Sequence, residues 1–320
     1  MRILIVGAGS IGQLYGFILQ RGGAEVDVYV RPRYVDEAER GYRIYERRKG
    51  LDAPEIFEPA AILTSPDEVA DEEYDAIILC ISATALRGPW LREFTEVIGD
   101  ATLISLTPGL DDRDYIAQYV DEEQLAMGAI TAVSYPAPLP GEEASEPGTA
   151  FWLPPLTPAL FDGPDDRLRP ILKVLKNGGM RSRAMKNLPQ TAAMTSAILM
   201  SMIGVLEMVG WSISELRASR EHRELLDDAS DEALSIVEYR FDAKRPLPSR
   251  LLGPFTWSGL LLAAPIAPPF DLETYLEVHF TKTADQTRMI IEDYISRREK
   301  ADLPSPALER VLDEIGDDPT

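Results

Sequence analysis

The chain has 320 residues, of which 45% are hydrophobic, and a formal net charge of -21. This length allows two domains with a sizeable core, and the composition is typical of a globular protein. The negative charge would repel nucleic acid and anionic lipid, so neither nucleic acid nor a membrane is expected as a partner. Acidic, lysine-poor surfaces also suit a high-salt cytoplasm, which is a hypothesis that stability measured at low salt would test.

Cys80 is the only cysteine, and it lies in the apolar run 76–81, where a buried strand is predicted. One cysteine excludes an intrachain disulfide and favours a reducing, cytoplasmic location. One cysteine and two distant histidines cannot build a usual zinc site, so no metal is expected. The N-terminal apolar run has four residues and leads directly into a glycine turn, which does not fit a signal peptide.

The first 31 residues carry the clearest motif of the chain. An apolar run at 3–6 predicts a strand, the stretch 13–20 predicts a helix, and 25–30 predicts a second strand that ends in Arg31. Between the first strand and the helix lies the sequence Gly-Ala-Gly-Ser-Ile-Gly at positions 7–12. A G-x-G-x-x-G pattern between a strand and a helix is the fingerprint of a dinucleotide site.

Each glycine of the fingerprint has a mechanical reason. Gly7 allows a sharp turn out of the strand, Gly9 allows the backbone to approach a pyrophosphate, and Gly12 allows close packing of the helix on the sheet. Ser10 and Ile11 lie between these glycines, just before the predicted helix, whose N-terminus offers free N–H groups and a partial positive charge to the diphosphate. These five residues are therefore the predicted cofactor-binding loop.

Arg31 distinguishes between the two nicotinamide dinucleotides. A site for NAD usually ends its second strand in an acidic residue, whereas an arginine there suits the 2′-phosphate of NADP. The sequence Arg31-Pro32-Arg33 therefore predicts NADP(H). The alternative is that both arginines are solvated loop residues.

Farther along the chain, apolar strands alternate with helices, which predicts a doubly wound α/β sheet of the Rossmann type. The stretch 36–49 lacks a clean periodicity and is predicted as loop and short helix, and the proline-rich stretch 135–166 as strands and ordered loops. Further strands are predicted at 60–63, 75–81, 101–106, 125–133 and 180–185. Helices are predicted to begin after the cap Ser65 and to cover 84–98, 111–119 and 166–176.

From residue 186 to residue 320 the pattern is helical throughout, so the predicted domains are 1–185 and 186–320. The apolar stretch 191–213 is long enough to span a bilayer. It contains Glu207 and many small residues, which favours a buried core helix. A single helix is predicted over 272–298, and 246–269 could be a lid, an interface or an irregular loop. Acidic pairs such as Asp111-Asp112 are predicted to belong to the surface.

A Rossmann-type domain with Arg31 after its second strand, followed by an all-helical domain, resembles the ketopantoate reductase family. The matching residues are Gly7, Gly9, Gly12 and Arg31, and Gly-Gln-Leu at 12–14 is similar as well. The resemblance implies hydride transfer from NADPH to the carbonyl carbon of a 2-keto acid, with a helix-borne lysine as the general acid. It also makes a homodimer plausible.

The catalytic residues of that family do not carry over in the same way. Pro108 stands where the family has an asparagine, and Ser82 where it has a lysine, although both positions remain predicted cofactor contacts. The catalytic lysine position falls on Gln190 or Thr191, and the nearest lysine is Lys186.

Because the family's lysine is missing from its expected position, other proton donors are candidates, and several lie on the helix predicted over 272–298. His279, Lys282 and Gln286 have a spacing that places them on one helix face, and Asp285 is a further candidate. The predicted catalytic set is Lys186, Gln190, His279 and Asp285. Two readings remain open: an NADPH-dependent reductase of a small carbonyl substrate, and a non-catalytic NADP-binding sensor or scaffold that has lost its donor. The sequence leaves open whether the chain is an enzyme.

Overall fold

The chain begins with the predicted β-α-β unit, formed by β1 (Arg2–Val6), α1 (Ser10–Arg21) and β2 (Glu25–Tyr29). The structure, a computed structural model, describes residues 1–107, 109–245 and 253–315. It divides into two units, Met1–Pro189 and Gln190–Thr320, so the units part at 189/190, whereas the sequence placed the domain boundary at 185/186.

The remaining elements of the first unit alternate as the sequence pattern indicates. Its helices are α2 (Val35–Glu39), α3 (Pro66–Ala70), α4 (Ala83–Leu86), α5 (Trp90–Thr95), α6 (Asp112–Ile116) and α7 (Asp165–Asn177). Its strands are β3 (Tyr42–Glu46), β4 (Glu55–Phe57), β5 (Ile62–Leu63), β6 (Ala76–Leu79), β7 (Thr102–Ser105), β8 (Leu125–Ala129), β9 (Val133–Ala137), β10 (Gly148–Trp152), β11 (Ala159–Asp162) and β12 (Ser182–Ala184). The helix predicted over 84–98 is two short helices, because Gly88-Pro89 interrupts it.

Eight strands form the main sheet, in the order β12-β11-β8-β7-β6-β1-β2-β5. The six strands from β8 to β5 are parallel, and β11 runs antiparallel to β8. Numbered by their place in the chain, these six have the 3-2-1-4-5-6 order of a dinucleotide-binding fold, in which ligands bind where the order reverses. That point lies between the carboxyl ends of β1 and β6. The Rossmann-type α/β fold with a helical C-terminal region is therefore confirmed.

A second sheet of four strands, in the order β4-β3-β10-β9, was not predicted. It corrects the interpretation of 36–49 as loop and short helix, because the short helix α2 is present but β3 forms where loop was expected. The charged side chains of Arg43 and Glu46 interrupt the apolar pattern of β3, whose burial depends on its pairing with β10, more than a hundred positions along the chain. No local pattern could have shown this partner.

Helix α1 lies between the two sheets. The ring of Phe57 on β4 packs so closely on Gly16 that a Cβ there would lie 2.4 Å from two ring atoms. On the same side, Phe17 meets Phe151 of β10 with ring centroids 6.0 Å apart. Because both sides of α1 are covered, the orientation of its N-terminus is tightly constrained.

The second unit is helical throughout its described residues. Its helices are α8 (Leu188–Met208, which begins in the first unit), α9 (Ile213–Ala218), α10 (Arg220–Phe241), α11 (Pro254–Ala263), α12 (Leu272–Lys282), α13 (Ala284–Lys300) and α14 (Pro306–Glu314). The segment 246–269 was predicted as a lid, an interface or an irregular loop. Its residues 253–263 form helix α11 with its N-cap, and its residues 246–252 lie outside the described residues. The prediction of a single helix over 272–298 is wrong, because α12 ends and α13 begins at Thr283.

Helix α8 is the described helix long and apolar enough to cross a membrane by length and composition, and 56% of its apolar window is buried within the protein. Small residues let neighbouring helices approach it closely. A Cβ at Gly204, for example, would lie 2.4 Å from Val311 of α14.

Candidate functional site

The predicted glycine loop begins where β1 ends, at the point where the strand order reverses. Gly7 has a φ of +91°, which a side chain would disfavour, and its N–H donates to the Tyr29 carbonyl at 3.0 Å. A Cβ at Gly7 would lie 2.8 Å from the Cys80 carbonyl oxygen at the end of β6. The loop is therefore held between β2 and β6 and leaves no room for a side chain at its first position.

The loop has open space around Gly9, unlike the crowded position of Gly7. A Cβ at Gly9 would meet no atom within 4 Å, whereas one at Gly12 would lie 1.9 Å from the Gly7 carbonyl oxygen. Gly9 caps α1 without a side-chain hydrogen bond, and within the described residues no side chain accepts from the helix N–H groups of Ser10 and Ile11. The loop thus has the shape and the donors of an anion site at a helix N-terminus.

The charges around α1 fit the same interpretation. No acidic residue occupies its first turn, although α3, α6 and α7 each carry two there. In a chain of net charge -21, this leaves the positive end of the α1 dipole uncompensated by a carboxylate.

Gln13 supports the loop through side-chain hydrogen bonds, a role that its position in the sequence does not indicate. Its side chain is 8% exposed, its Nε2 donates to the Ala8 carbonyl at 2.8 Å, and its Oε1 accepts from the Thr149 hydroxyl at 2.5 Å. The Ser134 hydroxyl donates to the Ser10 carbonyl at 3.0 Å. The second sheet therefore supports the loop through polar contacts at both ends.

Arg31 follows β2 at the same edge of the sheet and is exposed. Within the described residues its side chain has no ion pair or hydrogen bond. Arg33 differs, since its guanidinium lies over the Tyr34 ring, 4.7 Å from the centroid. Of the two predicted arginines, Arg31 is therefore the one whose side chain makes no such contact within the described residues.

Ser82 lies at the neighbouring strand end, after β6. It is exposed, its hydroxyl accepts from the Ala85 N–H at 3.1 Å, and it shares a hydrogen bond of 2.8 Å with the Thr84 hydroxyl. Cys80 just precedes it and lies one residue beyond the strand in which it was predicted; burial raises the pKa of its thiol. The group presented at this edge of the sheet is therefore the neutral hydroxyl of Ser82. It is neither a Cys80 thiolate nor the ammonium group of the lysine found there in the family.

The segment after β7 contains Pro108, which lies outside the described residues. Beside it, the Gly109 N–H donates to the Asp112 carboxylate at 2.8 Å, and the same carboxylate pairs with Arg87 at 2.6 Å. Asp112 is fully buried, so its prediction as a surface residue is wrong. Its role is to fix the segments that follow β6 and β7 against each other.

Lys186 is not brought together with the glycine loop. It is exposed in the turn after β12, and four strands separate β12 from β1 in the main sheet. The distance between β12 and β1 is therefore five strand spacings, or about 24 Å. Lys186 also has no ion pair within the described residues.

The other three catalytic candidates belong to the second unit. Gln190 is half-buried in the first turn of α8, and Asp285 is exposed, with its carboxylate accepting from the Gln286 N–H at 2.8 Å. His279 stacks on Tyr275 with centroids 5.4 Å apart, and burial, followed by the charge of Lys282, lowers its pKa. Because α12 ends at Lys282, the predicted common face of His279, Lys282 and Gln286 is wrong. The described residues contain no group of three or more His, Cys, Asp or Glu that could hold a metal ion.

Residues 3–138 match the family described as "Ketopantoate reductase PanE/ApbA". Among solved structures, the chain is similar to a PanE/ApbA family ketopantoate reductase from Ralstonia eutropha JMP134, with a TM-score of 0.76, 15% identity, and 98% and 97% of the two chains covered. A 2-dehydropantoate 2-reductase from Geobacter metallireducens GS-15 gives a TM-score of 0.73 at 15% identity, covering 98% and 99%.

D-mandelate dehydrogenase in a ternary structure with NADH and anilino(oxo)acetate is similar to the same degree. Its TM-score is 0.73 at 15% identity, with 98% of this chain and 97% of that chain covered. At such identity these likenesses concern the fold. A comparison with curated protein sequences found no significant match. The predicted resemblance is nevertheless confirmed over residues 3–138, the part of the chain that matches the ketopantoate reductase PanE/ApbA family.

Proposed function

We propose that the chain is an NADP-dependent oxidoreductase that reduces the carbonyl group of a small, 2-keto acid-like substrate. The observation that carries the cofactor choice is the exposed, unpaired Arg31 at the end of β2, next to the open glycine loop. A guanidinium at this position suits the 2′-phosphate of NADP. The family match and the similar D-mandelate dehydrogenase, which holds NADH and an oxo acid analogue, support the reaction class.

The chain's own residues have separable tasks in this proposal. The N–H groups of Ser10 and Ile11 would hold the diphosphate, and Arg31 would hold the 2′-phosphate. Ser82 lies at the neighbouring strand end and would orient the cofactor by its hydroxyl. The bound cofactor would supply the hydride. The protein must also deliver a proton to the carbonyl oxygen from within hydrogen-bond reach.

The identity of the proton donor is a separate part of the proposal. Burial lowers the pKa of His279, which favours the neutral imidazole, a poor proton donor at neutral pH. Lys186 stands beyond β12, far from the glycine loop in the plane of the sheet. Gln190 and Asp285 remain candidates, the first for orienting a substrate oxygen and the second for orienting a water molecule that donates the proton and is left as hydroxide.

The alternative is a non-catalytic NADP-binding sensor or scaffold. It is favoured by Pro108, Ser82 and Gln190, which replace the family's asparagine and lysines. Both functions require the same nucleotide site, so binding and turnover must be measured separately.

Cofactor choice is tested by titrating the chain with NADPH and with NADH while following nicotinamide fluorescence. We expect tighter binding of NADPH, and Arg31→Ala should weaken it about tenfold, as expected for the loss of a charge-assisted contact with phosphate. NADH binding should change little. Arg33→Ala is the matched control and should leave both affinities near wild type. Equal NADPH affinity in Arg31→Ala and wild type would refute the NADP assignment.

Turnover is tested with a panel of 2-keto acids, aldehydes and imines, monitored by NADPH oxidation. Oxidation by wild type that is lost in Gln190→Ala or Asp285→Ala, with NADPH binding intact, would identify the donor or the orienting residue. NADPH binding without oxidation of any panel member would favour the sensor over the reductase.

A further inference from the structure

A cavity of about 320 Å³ lies in the first unit, where the end of β10 and the segment after it approach the start of β11 and the residues after α7. This volume falls in the range of small-molecule sites. Its inner wall is apolar and includes Ala132, Phe151, Leu153 and Met180. It shares no lining residue with the glycine loop, Arg31 or Ser82.

Two arginines, Arg48 and Arg181, also line the cavity. Both are exposed, and neither side chain has a hydrogen bond or ion pair within the described part of the chain. Although carboxylates are abundant in a chain of net charge -21, no described carboxylate pairs with either guanidinium group, so both are available to an anion in the cavity.

The acidic residue in the lining does not cancel this charge. Glu46 pairs with Lys49 at 2.8 Å and lies 3.9 Å from the Arg21 guanidinium. The Glu46 carboxylate is thus already compensated by two cations, and the cavity keeps an excess of positive charge. Guanidinium groups bind carboxylates and phosphates in a forked geometry, so this wall fits an anion.

Leu156 provides a second, independent observation. It lines the cavity, its side chain is 84% exposed, and its φ is +67°. A branched residue in the left-handed region is strained, and such strain tends to occur at ligand-binding segments. An apolar side chain held outwards at the mouth of an apolar cavity gains burial when an apolar group enters.

We propose that this cavity binds a small carboxylate with an apolar tail. Arg48 and Arg181 hold the carboxylate, the wall around Phe151 receives the tail, and Leu156 covers it. The site is distinct from that of the dinucleotide, so a ligand here and NADPH bind at the same time.

Isothermal titration of the full chain with octanoate tests the proposal, with octanamide as the uncharged probe of the same length. We expect saturable octanoate binding, and binding of octanamide weaker by at least about tenfold, because the amide lacks the charge that the arginines bind. The double variant Arg48→Gln/Arg181→Gln should lose at least about tenfold in octanoate affinity. Arg183→Gln, on β12 and outside the cavity, is the matched control and should bind as wild type does.

Leu156→Gly separates ligand binding from folding. Glycine relieves the left-handed strain, so thermal stability should stay equal or rise, while octanoate affinity falls. A titration repeated at saturating NADPH should give the same octanoate affinity. Absence of saturable binding, equal affinity in the double variant and wild type, or displacement of octanoate by NADPH would each overturn the proposal. None of these outcomes bears on whether NADPH binds at the glycine loop.

Discussion

Gln13 offers the sharpest test of how this fold shapes its nucleotide loop. Its amide is buried between the two sheets and makes two hydrogen bonds, one to the Ala8 carbonyl and one from the Thr149 hydroxyl. Gln13→Leu keeps the approximate size of the side chain and removes both bonds. The buried Thr149 hydroxyl and the half-buried Ala8 carbonyl would then lack their partner, which is costlier than the loss of an exposed hydrogen bond.

The magnitude follows from these contacts. A buried group left unpaired costs about 1–3 kcal/mol and a half-buried one less, so Gln13→Leu should lower the free energy of unfolding by about 2–4 kcal/mol. Thr149→Val removes one of the two bonds and should cost about 1–2 kcal/mol. Because the two residues share that bond, the double variant should be more stable than the sum of the single effects predicts, by about 1 kcal/mol.

The assay combines urea unfolding with NADPH titration of the three variants. In Gln13→Leu the Ala8 carbonyl is released, the glycine loop loses its support, and NADPH affinity should fall by at least about tenfold. Thr149→Val keeps the Gln13–Ala8 bond and should bind nearly as wild type does. Gln13→Leu could be destabilised as expected and still bind NADPH with wild-type affinity. In that case the β1–α1 backbone alone determines the conformation of the glycine loop, and support by the Gln13 side chain is refuted.

Three further predictions concern stability. Arg2→Met should lower the free energy of unfolding by about 3–5 kcal/mol, because it leaves the fully buried Asp27 carboxylate without its cation. Gly16→Ala should destabilise by about 1–3 kcal/mol although alanine is the better helix former, because its Cβ would meet the Phe57 ring. Burial lowers the pKa of His279, so the unfolded chain takes up more protons as the pH falls below the ordinary histidine value of about 6.5. Stability should therefore decrease from pH 7 to pH 5, and His279→Gln should lose less over that range.

Urea or thermal unfolding at fixed ionic strength measures all three. Wild-type stability in Arg2→Met would mean that Asp27 is adequately solvated without the arginine. A stabilised Gly16→Ala would show that the Phe57 ring moves aside at little cost. An equal loss from pH 7 to pH 5 in His279→Gln and wild type would place the acid sensitivity on other groups.

Local sequence determined the β-α-β unit and its glycine loop. Their signals lie within 31 consecutive residues, and the φ of +91° at Gly7 and the close approach at Gly12 need glycine whatever surrounds them. The helical second unit and the capping box at Ser65 were also predictable, because helix periodicity and caps are short-range features.

Only the tertiary structure decided what supports that loop. Gln13 and Thr149 are 136 positions apart, and β3 meets β10 across a comparable separation, so neither contact leaves a local pattern in the sequence. The same holds for Asp112, an acidic residue in an acidic chain, whose burial depends on Arg87 from another segment. Residue type and spacing predict an element when its causes are neighbours in the chain. Burial and pairing across segments arise only when the chain has folded.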